Sequence, residues 1–133
     1  MPTAAAITIK KNDGTTDVVY NVVTASGGDK SPALFRADAL PGTPGQKPVL
    51  SVSSQPNGTQ TGRRISISYS YPQVYTETNT SLTQVRTKAN ARIDVYVPLD
   101  MDTTSANEFG AQLGNLMASA LMKSVAQTGF APA

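Results

Sequence analysis

The feature that most constrains this chain is a two-residue alternation of apolar and polar side chains in its middle section. Residues 63–71 read Arg-Arg-Ile-Ser-Ile-Ser-Tyr-Ser-Tyr, and residues 85–97 alternate in a similar way up to a closing proline. Successive side chains of a β-strand point to opposite faces of a sheet, so this pattern predicts two strands, each with one apolar face and one polar face. Residues 49–54 predict a further strand, which a turn at residues 55–58 connects to the next one.

The sequence before residue 49 also predicts β-structure. Residues 1–24 read as a hairpin, because two β-rich stretches flank the turn signal Asn12-Asp13-Gly14. Residues 33–36 predict a short strand. Residues 72–83, which are polar and begin with a proline, predict a loop between the last two strands.

The tail changes to a helical period. Ser105 and Glu108 have the spacing of a capping box, and Gly129 is a stop signal. A bend near residues 118–120 predicts two helices within residues 103–128. The apolar residues with helical spacing are Phe109, Leu113, Leu116, Met117, Ala120, Leu121 and Val125.

Strands followed by helices predict an α+β fold with an antiparallel sheet. We expect a single domain over residues 1–133: an N-terminal hairpin (1–24), a main sheet of about five further strands (33–98) and two C-terminal helices (103–128). Two short helices would cover only part of the apolar face of such a sheet. A second subunit that supplies more helix would complete the cover, which predicts a homodimer.

The composition excludes several kinds of site. The chain has no Cys and no His, so it lacks disulfides, thiolate nucleophiles, the usual zinc ligands and the usual general base. Its acidic residues are too scattered for an acid–base pair. Asp100 and Asp102 could hold a hard cation, but acids before a helix more often stabilise its N-terminus. We therefore expect no enzyme activity, no cofactor, no metal and no small-molecule substrate. No apolar run is long enough to cross a membrane, and we see no signal peptide.

Charge is distributed unevenly. Residues 47–92 contain six basic side chains and one acidic side chain, whereas the rest of the chain is neutral or acidic. By parity, the polar face of the predicted sheet carries cations beside hydroxyl and amide groups, an arrangement that suits phosphates and unstacked bases. The alternative is an ordinary solvated sheet face. The predicted polar face includes Ser51, Ser53, Arg64, Ser66, Ser68, Lys88, Asn90 and Arg92.

The ordered set of segments resembles the coat proteins of single-stranded RNA bacteriophages, particularly those of the allolevivirus type, over essentially the whole chain. No single motif carries the likeness. The segments are Val49–Pro56 with Arg63–Pro72 as the central strand pair, Arg86–Pro98 as the last strand, Asp102–Ser105 and Leu113–Met122 in the helical tail, and Phe130–Ala133 at the end.

The resemblance implies an interlocked homodimer whose combined sheet lines an icosahedral shell, with Phe109, Leu113, Leu116, Met117 and Leu121 in the dimer interface. It implies a virion protein that is assembled in the cytoplasm of a bacterial host. The connection 72–83 would surround the symmetry axes of the shell. The sheet would also bind an RNA hairpin and so repress translation of the replicase. The RNA hairpin would contact Ser51, Ser53, Arg64, Ser66, Asn90 and Arg92, and Ser68 and Lys88 would lie on the same face.

One position departs from the family. The family commonly has a Tyr on the last strand that stacks on a loop base, and Asn90 stands at that position here. The chain would then bind a different hairpin, or bind RNA mainly through phosphates. Two other classes of function stay open: a nucleic-acid-binding dimer that does not assemble, and a β-rich domain that binds carbohydrate or peptide.

Overall fold

A computed structural model describes residues 2–133. The chain divides into two compact units, Met1–Tyr96 and Val97–Ala133, which are described separately below. The first unit contains a six-stranded sheet in which each strand lies beside the next strand along the chain. The strands are β1 (Ile7–Lys10), β2 (Asp17–Thr24), β3 (Ala33–Arg36), β4 (Val49–Pro56), β5 (Gly62–Thr76) and β6 (Thr83–Pro98), with a short 3-10 turn at Pro44–Gln46.

The fold class predicted from the sequence is confirmed, but the strand count differs by one. The hairpin β1–β2 is present, and β2 continues the sheet by pairing antiparallel with β3. Because β2 belongs both to the hairpin and to the main sheet, four strands follow the hairpin where about five were expected.

Asp13 organises the turn between β1 and β2. Its carboxylate accepts hydrogen bonds from the backbone N–H groups of Thr15 and Thr16, each at 2.9 Å, and from the hydroxyl of Thr16. The Thr16 hydroxyl is the largest cause of a lowered pKa for Asp13, which falls to about 2. Gly14 has a positive φ of 74°, a conformation that glycine adopts at little cost.

The loop predicted over residues 72–83 is shorter than expected, because β5 extends to Thr76 and β6 begins at Thr83. Polar side chains support this extension: the hydroxyls of Thr76 and Thr83 lie 3.2 Å apart, and the Tyr75 hydroxyl donates to the Gln84 side chain at 3.1 Å. Composition indicated a loop, but cross-strand contacts of this kind keep such residues in strands.

The buried centre of the sheet unit is small. Tyr20, Phe35 and Ala37 form it, and Leu50 and Tyr69 pack against them. The hydroxyls of Tyr20 and Tyr69 are 2.7 Å apart, and their rings meet edge to face at a centroid distance of 6.1 Å. Burial, helped by the Tyr20 hydroxyl, raises the pKa of Tyr69 well above its ordinary value.

The second unit contains helices α1 (Thr103–Met117) and α2 (Ala120–Thr128), so the predicted break near residues 118–120 is present. The predicted capping box at Ser105 is wrong. The helix begins one turn earlier, where the Asp102 carboxylate accepts from the backbone N–H of Ser105 at 3.0 Å. Ser119 caps α2, and Gly129 ends it with a φ of 79°. The side-chain cap at Asp102 replaces the one predicted because carboxylates cap at least as well as hydroxyls.

Candidate nucleic-acid interface

The pairing of β4 with β5 places the predicted polar residues of these strands on one face. Ser51 lies opposite Ser68, and Ser53 lies opposite Ser66. Residues that are directly opposite in an antiparallel pair share a face of the sheet. The four serines therefore form a surface of short hydroxyl side chains at the middle of the sheet.

Strand β6 adds its even-numbered side chains to the same face. The Ser66 hydroxyl donates to the Asp94 carboxylate at 3.1 Å, which identifies the face that Asp94 occupies. Every even-numbered residue from 84 to 96 is exposed, whereas the side chains with reduced exposure up to residue 97 are all at odd positions. The alternation therefore brings Lys88, Asn90 and Arg92 to the face of the serines.

Arg64 completes the set from β5, since Gln55 lies opposite it in the register. The structure thus places all eight predicted residues on one face of the sheet. We call this surface the polar face: the eight predicted residues Ser51, Ser53, Arg64, Ser66, Ser68, Lys88, Asn90 and Arg92, together with Gln55, Arg86 and Asp94 on the same side of the sheet. The predicted site left out two neighbours. Parity already places Arg86 beside Lys88 on this face, and Gln55 shares the parity of Ser51 and Ser53 but lies one residue beyond the strand predicted over residues 49–54.

The cations of the polar face are not neutralised within the chain. Arg64, Arg86, Lys88 and Arg92 are exposed, and none of them has an ion pair or a hydrogen bond within residues 2–133. Guanidinium and ammonium groups in this state are available to an anionic ligand. The polar face therefore presents four free cations beside hydroxyl and amide groups.

The other two basic residues of the middle section, Arg63 and Lys47, have binding partners within the same chain. Arg63 lies opposite Pro56, on the apolar face, and its guanidinium pairs with Asp29 and with the Ser54 hydroxyl. The Lys47 ammonium donates to the backbone carbonyl of Asp38 at 2.9 Å. The count of six basic side chains from the sequence therefore overstates the charge that can meet a polyanion, because two of them have partners of their own.

Asp94 is the one acidic side chain among the β6 residues of the polar face, and the Ser66 hydroxyl is its only partner within the described part of the chain. The only aromatic side chain of this parity on β6 is Tyr96, whose hydroxyl is 3.3 Å from that of Thr61. The face therefore offers phosphate attraction and hydrogen bonds rather than a stacking platform.

One of the two acidic residues before α1 has a structural use. Asp102 caps the helix, and its hydrogen bonds with Ser105 hold its pKa below the ordinary value. Residues 2–133 contain no group of three acidic side chains that could hold a metal ion. No helix in the same range is both long and apolar enough to cross a lipid bilayer.

The residues predicted for the dimer interface lie along the helices, and none of them is buried. Leu116 is 62% exposed and Leu121 is 60% exposed, while Phe109 and Met117 are exposed to a lesser degree and Leu113 is intermediate. We call these five residues the helix stripe. Large apolar side chains in such numbers on a surface mark a site of association.

Comparison with solved structures relates nearly the whole chain to proteins of viral and bacteriophage particles. Its fold matches a protein in the virus-like particle of Beihai levi-like virus 21 with a TM-score of 0.80 and 20% identity, covering 99% of both chains. The corresponding values for the virus-like particle of bacteriophage NT-214 are 0.77 and 13%, again with 99% of both chains covered. The capsid protein of bacteriophage GA gives 0.74 and 19%, with 93% of this chain and 94% of the other covered.

No protein-family model matches the chain. No curated protein matches it by sequence either. The resemblance predicted from the sequence is therefore confirmed at the level of the fold: the chain has the fold of the RNA phage coat proteins.

Proposed function

We propose that this chain is the coat protein of a single-stranded RNA bacteriophage. It assembles as homodimers into an icosahedral shell in the cytoplasm of its bacterial host, and its polar face binds the packaged RNA. The observation that carries the proposal is the likeness in fold, over 99% of both chains, to a protein that forms a virus-like particle. A coat protein needs no catalytic side chains, and this chain has neither Cys nor His.

The exposed surface supports assembly. One chain exposes 9592 Å², whereas a compact monomer of this mass exposes about 6,700 Å². The excess of about 2,900 Å² per chain amounts to about 5,800 Å² for two chains, at the upper end of the total area that obligate dimers bury. The helix stripe is the apolar part of this surface and is our candidate for burial against a second copy.

The edge of the sheet supports the same conclusion. β6 is the last strand in the sheet order and has 16 residues. A long exposed edge strand leaves a row of backbone groups unpaired, and soluble proteins normally cover such an edge. Pairing of β6 with its copy would cover both edges and join two sheets into one.

The polar face supports RNA as the ligand. Four free cations attract phosphates, and the serine hydroxyls and Asn90 can accept and donate hydrogen bonds at base edges. We propose that an RNA hairpin at the replicase start binds here and that its binding represses translation. Since Asn90 replaces the stacking tyrosine of the family, recognition rests on phosphates and hydrogen bonds.

Expression of the chain alone in bacteria tests the proposal. We expect uniform spherical particles by negative-stain electron microscopy, with an absorbance ratio at 260 and 280 nm that indicates packaged nucleic acid. A dimer that binds RNA but never assembles would favour a repressor without a shell. A small species with no affinity for RNA would favour a carbohydrate- or peptide-binding domain.

Replacement of Arg64 and Arg92 by Ala tests the polar face. Each lost phosphate contact lowers the slope of log affinity against log salt by about 0.7 for single-stranded nucleic acid. The double variant should therefore bind RNA more weakly and with a slope that is flatter by about 1.4. The matched control is K11A/K123A, which removes two exposed cations outside the polar face. Equal slopes for the two double variants would contradict the assignment.

The tip of the β5–β6 hairpin, residues 77–82, is our candidate for the contact around the symmetry axes. It is closed by hydrogen bonds from the backbone N–H of Glu77 to the Leu82 carbonyl and from that of Ser81 to the Glu77 carbonyl. Deletion of residues 78–81 should change the shape or size of the particle in electron micrographs while light scattering still gives a dimer. Loss of the dimer would contradict this placement.

A further inference from the structure

We infer that Gln46 is a positioning residue for the tip of the β5–β6 hairpin, because its side chain ties the base of that hairpin to the loop between β3 and β4. The Gln46 Nε2 donates to the backbone carbonyl of Thr83 at 2.9 Å, across 37 positions of the chain. Thr83 is the first residue of β6 and directly follows the tip, residues 77–82. The inference rests on the proposed shell and deepens it, because it names the contact that sets the direction of the tip there.

The hairpin needs such a tie because its outer part extends past the rest of the sheet. The pairing of β4 with β5 ends where Val49 lies opposite Ser70, whereas β5 continues to Thr76. Residues 71–84, which we call the arm, therefore form a two-stranded ribbon with the tip at its end. A two-stranded hairpin is at best marginally stable by itself in water, and Pro72 has no N–H group for a ladder hydrogen bond. A contact from outside the arm therefore has a large influence on the direction of the tip.

The loop between β3 and β4 is itself held firmly enough to serve as the anchor. Ala37, at its start, is fully buried, and the Ala37 N–H donates to the carbonyl of Pro48 at its other end at 3.2 Å. The Lys47 ammonium donates to the Asp38 carbonyl at 2.9 Å. The loop is thus closed at its base, and its 3-10 turn, Pro44–Gln46, packs beside β5.

The direction of the Gln46 carboxamide is fixed at both of its polar atoms. Its Oε1 accepts from the backbone N–H of Thr43 at 3.0 Å, so the amide nitrogen is left to donate to Thr83. Because Thr43 offers a donor and the Thr83 carbonyl offers an acceptor, the reverse orientation of the amide would lose both hydrogen bonds. The side chain therefore bridges the loop and the arm in one orientation.

Gly42 leaves the space that the Gln46 carboxamide occupies. Its φ is 113°, a positive value that glycine adopts at little cost. A Cβ at residue 42 would overlap the Oε1 of Gln46 and would lie 3.1 Å from the Gln46 Cβ. Gly45, in the same loop, has open space at the corresponding position. The bridge therefore requires a glycine at residue 42 but not at residue 45.

Gln46→Glu tests the bridge with a nearly isosteric change. The carboxylate still accepts from the Thr43 N–H but cannot donate to the Thr83 carbonyl. One hydrogen bond of this kind shifts a local equilibrium about two- to tenfold. The backbone amides of the tip should therefore exchange with deuterium about two- to tenfold faster in the unassembled protein, as measured by mass spectrometry. Gln73→Glu is the matched control, because it places the same charge at an exposed position of the arm. Equal exchange in the parent and in Gln46→Glu would overturn the inference.

Acidification provides a rescue that a general loosening of the loop would not give. Glutamic acid has an ordinary pKa of about 4.3, and its protonated form can donate a hydrogen bond again. The exchange rate of the tip in Gln46→Glu, divided by that of the parent at the same pH, should therefore fall towards one between pH 7 and about pH 3.5. A ratio that stays constant over this range would contradict the role of the lost donor.

Gly42→Ala tests the same bridge from the side of the loop. The added methyl group should displace the Gln46 carboxamide and speed exchange of the tip, whereas Gly45→Ala should leave exchange close to that of the parent. Combining Gly42→Ala with Gln46→Glu should give no further increase, since both changes break one contact. Equal effects of the two alanine variants, or an additive increase in the combined variant, would overturn the bridge.

The role of Gln46 in the shell has a separate readout. Gln46→Glu should give particles of altered size or mixed shape in electron micrographs, while its urea midpoint stays near that of the parent. Faster exchange with unchanged particles would show that Gln46 does not set the direction of the tip in the shell, and would overturn that part of the inference. If the parent forms no particles, the proposed shell fails, whereas exchange in the unassembled protein still decides the bridge.

Discussion

The two units of the chain differ in where their large apolar side chains lie. The sheet unit buries Tyr20, Phe35, Ala37 and Val95, whereas no residue of either helix is buried. The sheet therefore has contacts of its own that stabilise it, while the helices leave most of their apolar surface exposed. Substitutions in the two units should therefore have different effects. Those in the sheet should lower the folding stability of the chain, whereas those in the helices should weaken its association with other copies.

The largest effect is expected in the helix stripe. Replacing Leu116 and Leu121 together by Glu should abolish the dimer, because burial of each leucine is worth about 1.5–3 kcal/mol and the dimer would bury four of them. Light scattering would give the mass. The control N115E/S124E adds the same charge at exposed polar positions of the same helices. A dimer that persists in the leucine variant would contradict the assignment of the helix stripe to association.

The next effect is expected in the sheet unit. Phe35→Ala should lower the free energy of unfolding by about 3–5 kcal/mol, because Phe35 is only 7% exposed and its removal leaves a cavity. Urea denaturation measures the change, and Phe35→Leu should cost less. A loss under 1 kcal/mol would mean that the buried cluster does not stabilise the sheet.

A smaller effect is expected at the tyrosine pair. Tyr69→Phe should cost about 1 kcal/mol, since it leaves the Tyr20 hydroxyl without its partner. The double variant Y20F/Y69F leaves no unpaired hydroxyl and should recover part of the loss. Tyr69 keeps its proton in the folded chain to a higher pH than in the unfolded chain, because its pKa is raised. Stability should therefore fall as the pH rises above about 10, and less steeply in the Tyr69→Phe variant.

The smallest effect is expected at the start of α1. The pKa of Asp102 is lowered by its hydrogen bonds with Ser105, so its contribution is complete above the unfolded pKa of about 3.9 and is lost as the pH falls through the lower folded value. Circular dichroism should show a small loss of helix on acidification, and Asp102→Ala should remove that step. Asp100→Ala is the control, and an identical effect in both variants would contradict the cap.

The sequence predicted the parts of the fold that depend on local periodicity. Alternation along residues 63–71 and 85–97 identified the two long strands and their faces, and the change of period identified both helices. The confirmed likeness in fold agrees with the order of these elements. Single-domain organisation, the dimer contacts and RNA binding stay predictions.

The errors arose where distant residues decide the structure. Thr76 and Thr83 belong to strands because they contact each other across the hairpin. Arg63 was counted with the polyanion surface, but its partner Asp29 lies 34 positions earlier in the chain. The strand predicted over residues 49–54 excludes Gln55, whereas pairing with β5 extends β4 to Pro56. Composition and parity carry no information about such pairings.

The order of the strands has a consequence for how the chain is made. Each strand of the sheet lies beside the strand synthesised just before it, so the sheet can grow hairpin by hairpin behind the ribosome, without waiting for distant segments. β6, the edge strand proposed to pair in the dimer, is added last. A nascent chain therefore exposes the edge of β6 only once the rest of the sheet is in place, which in the proposed dimer would limit premature pairing between incomplete copies on one messenger.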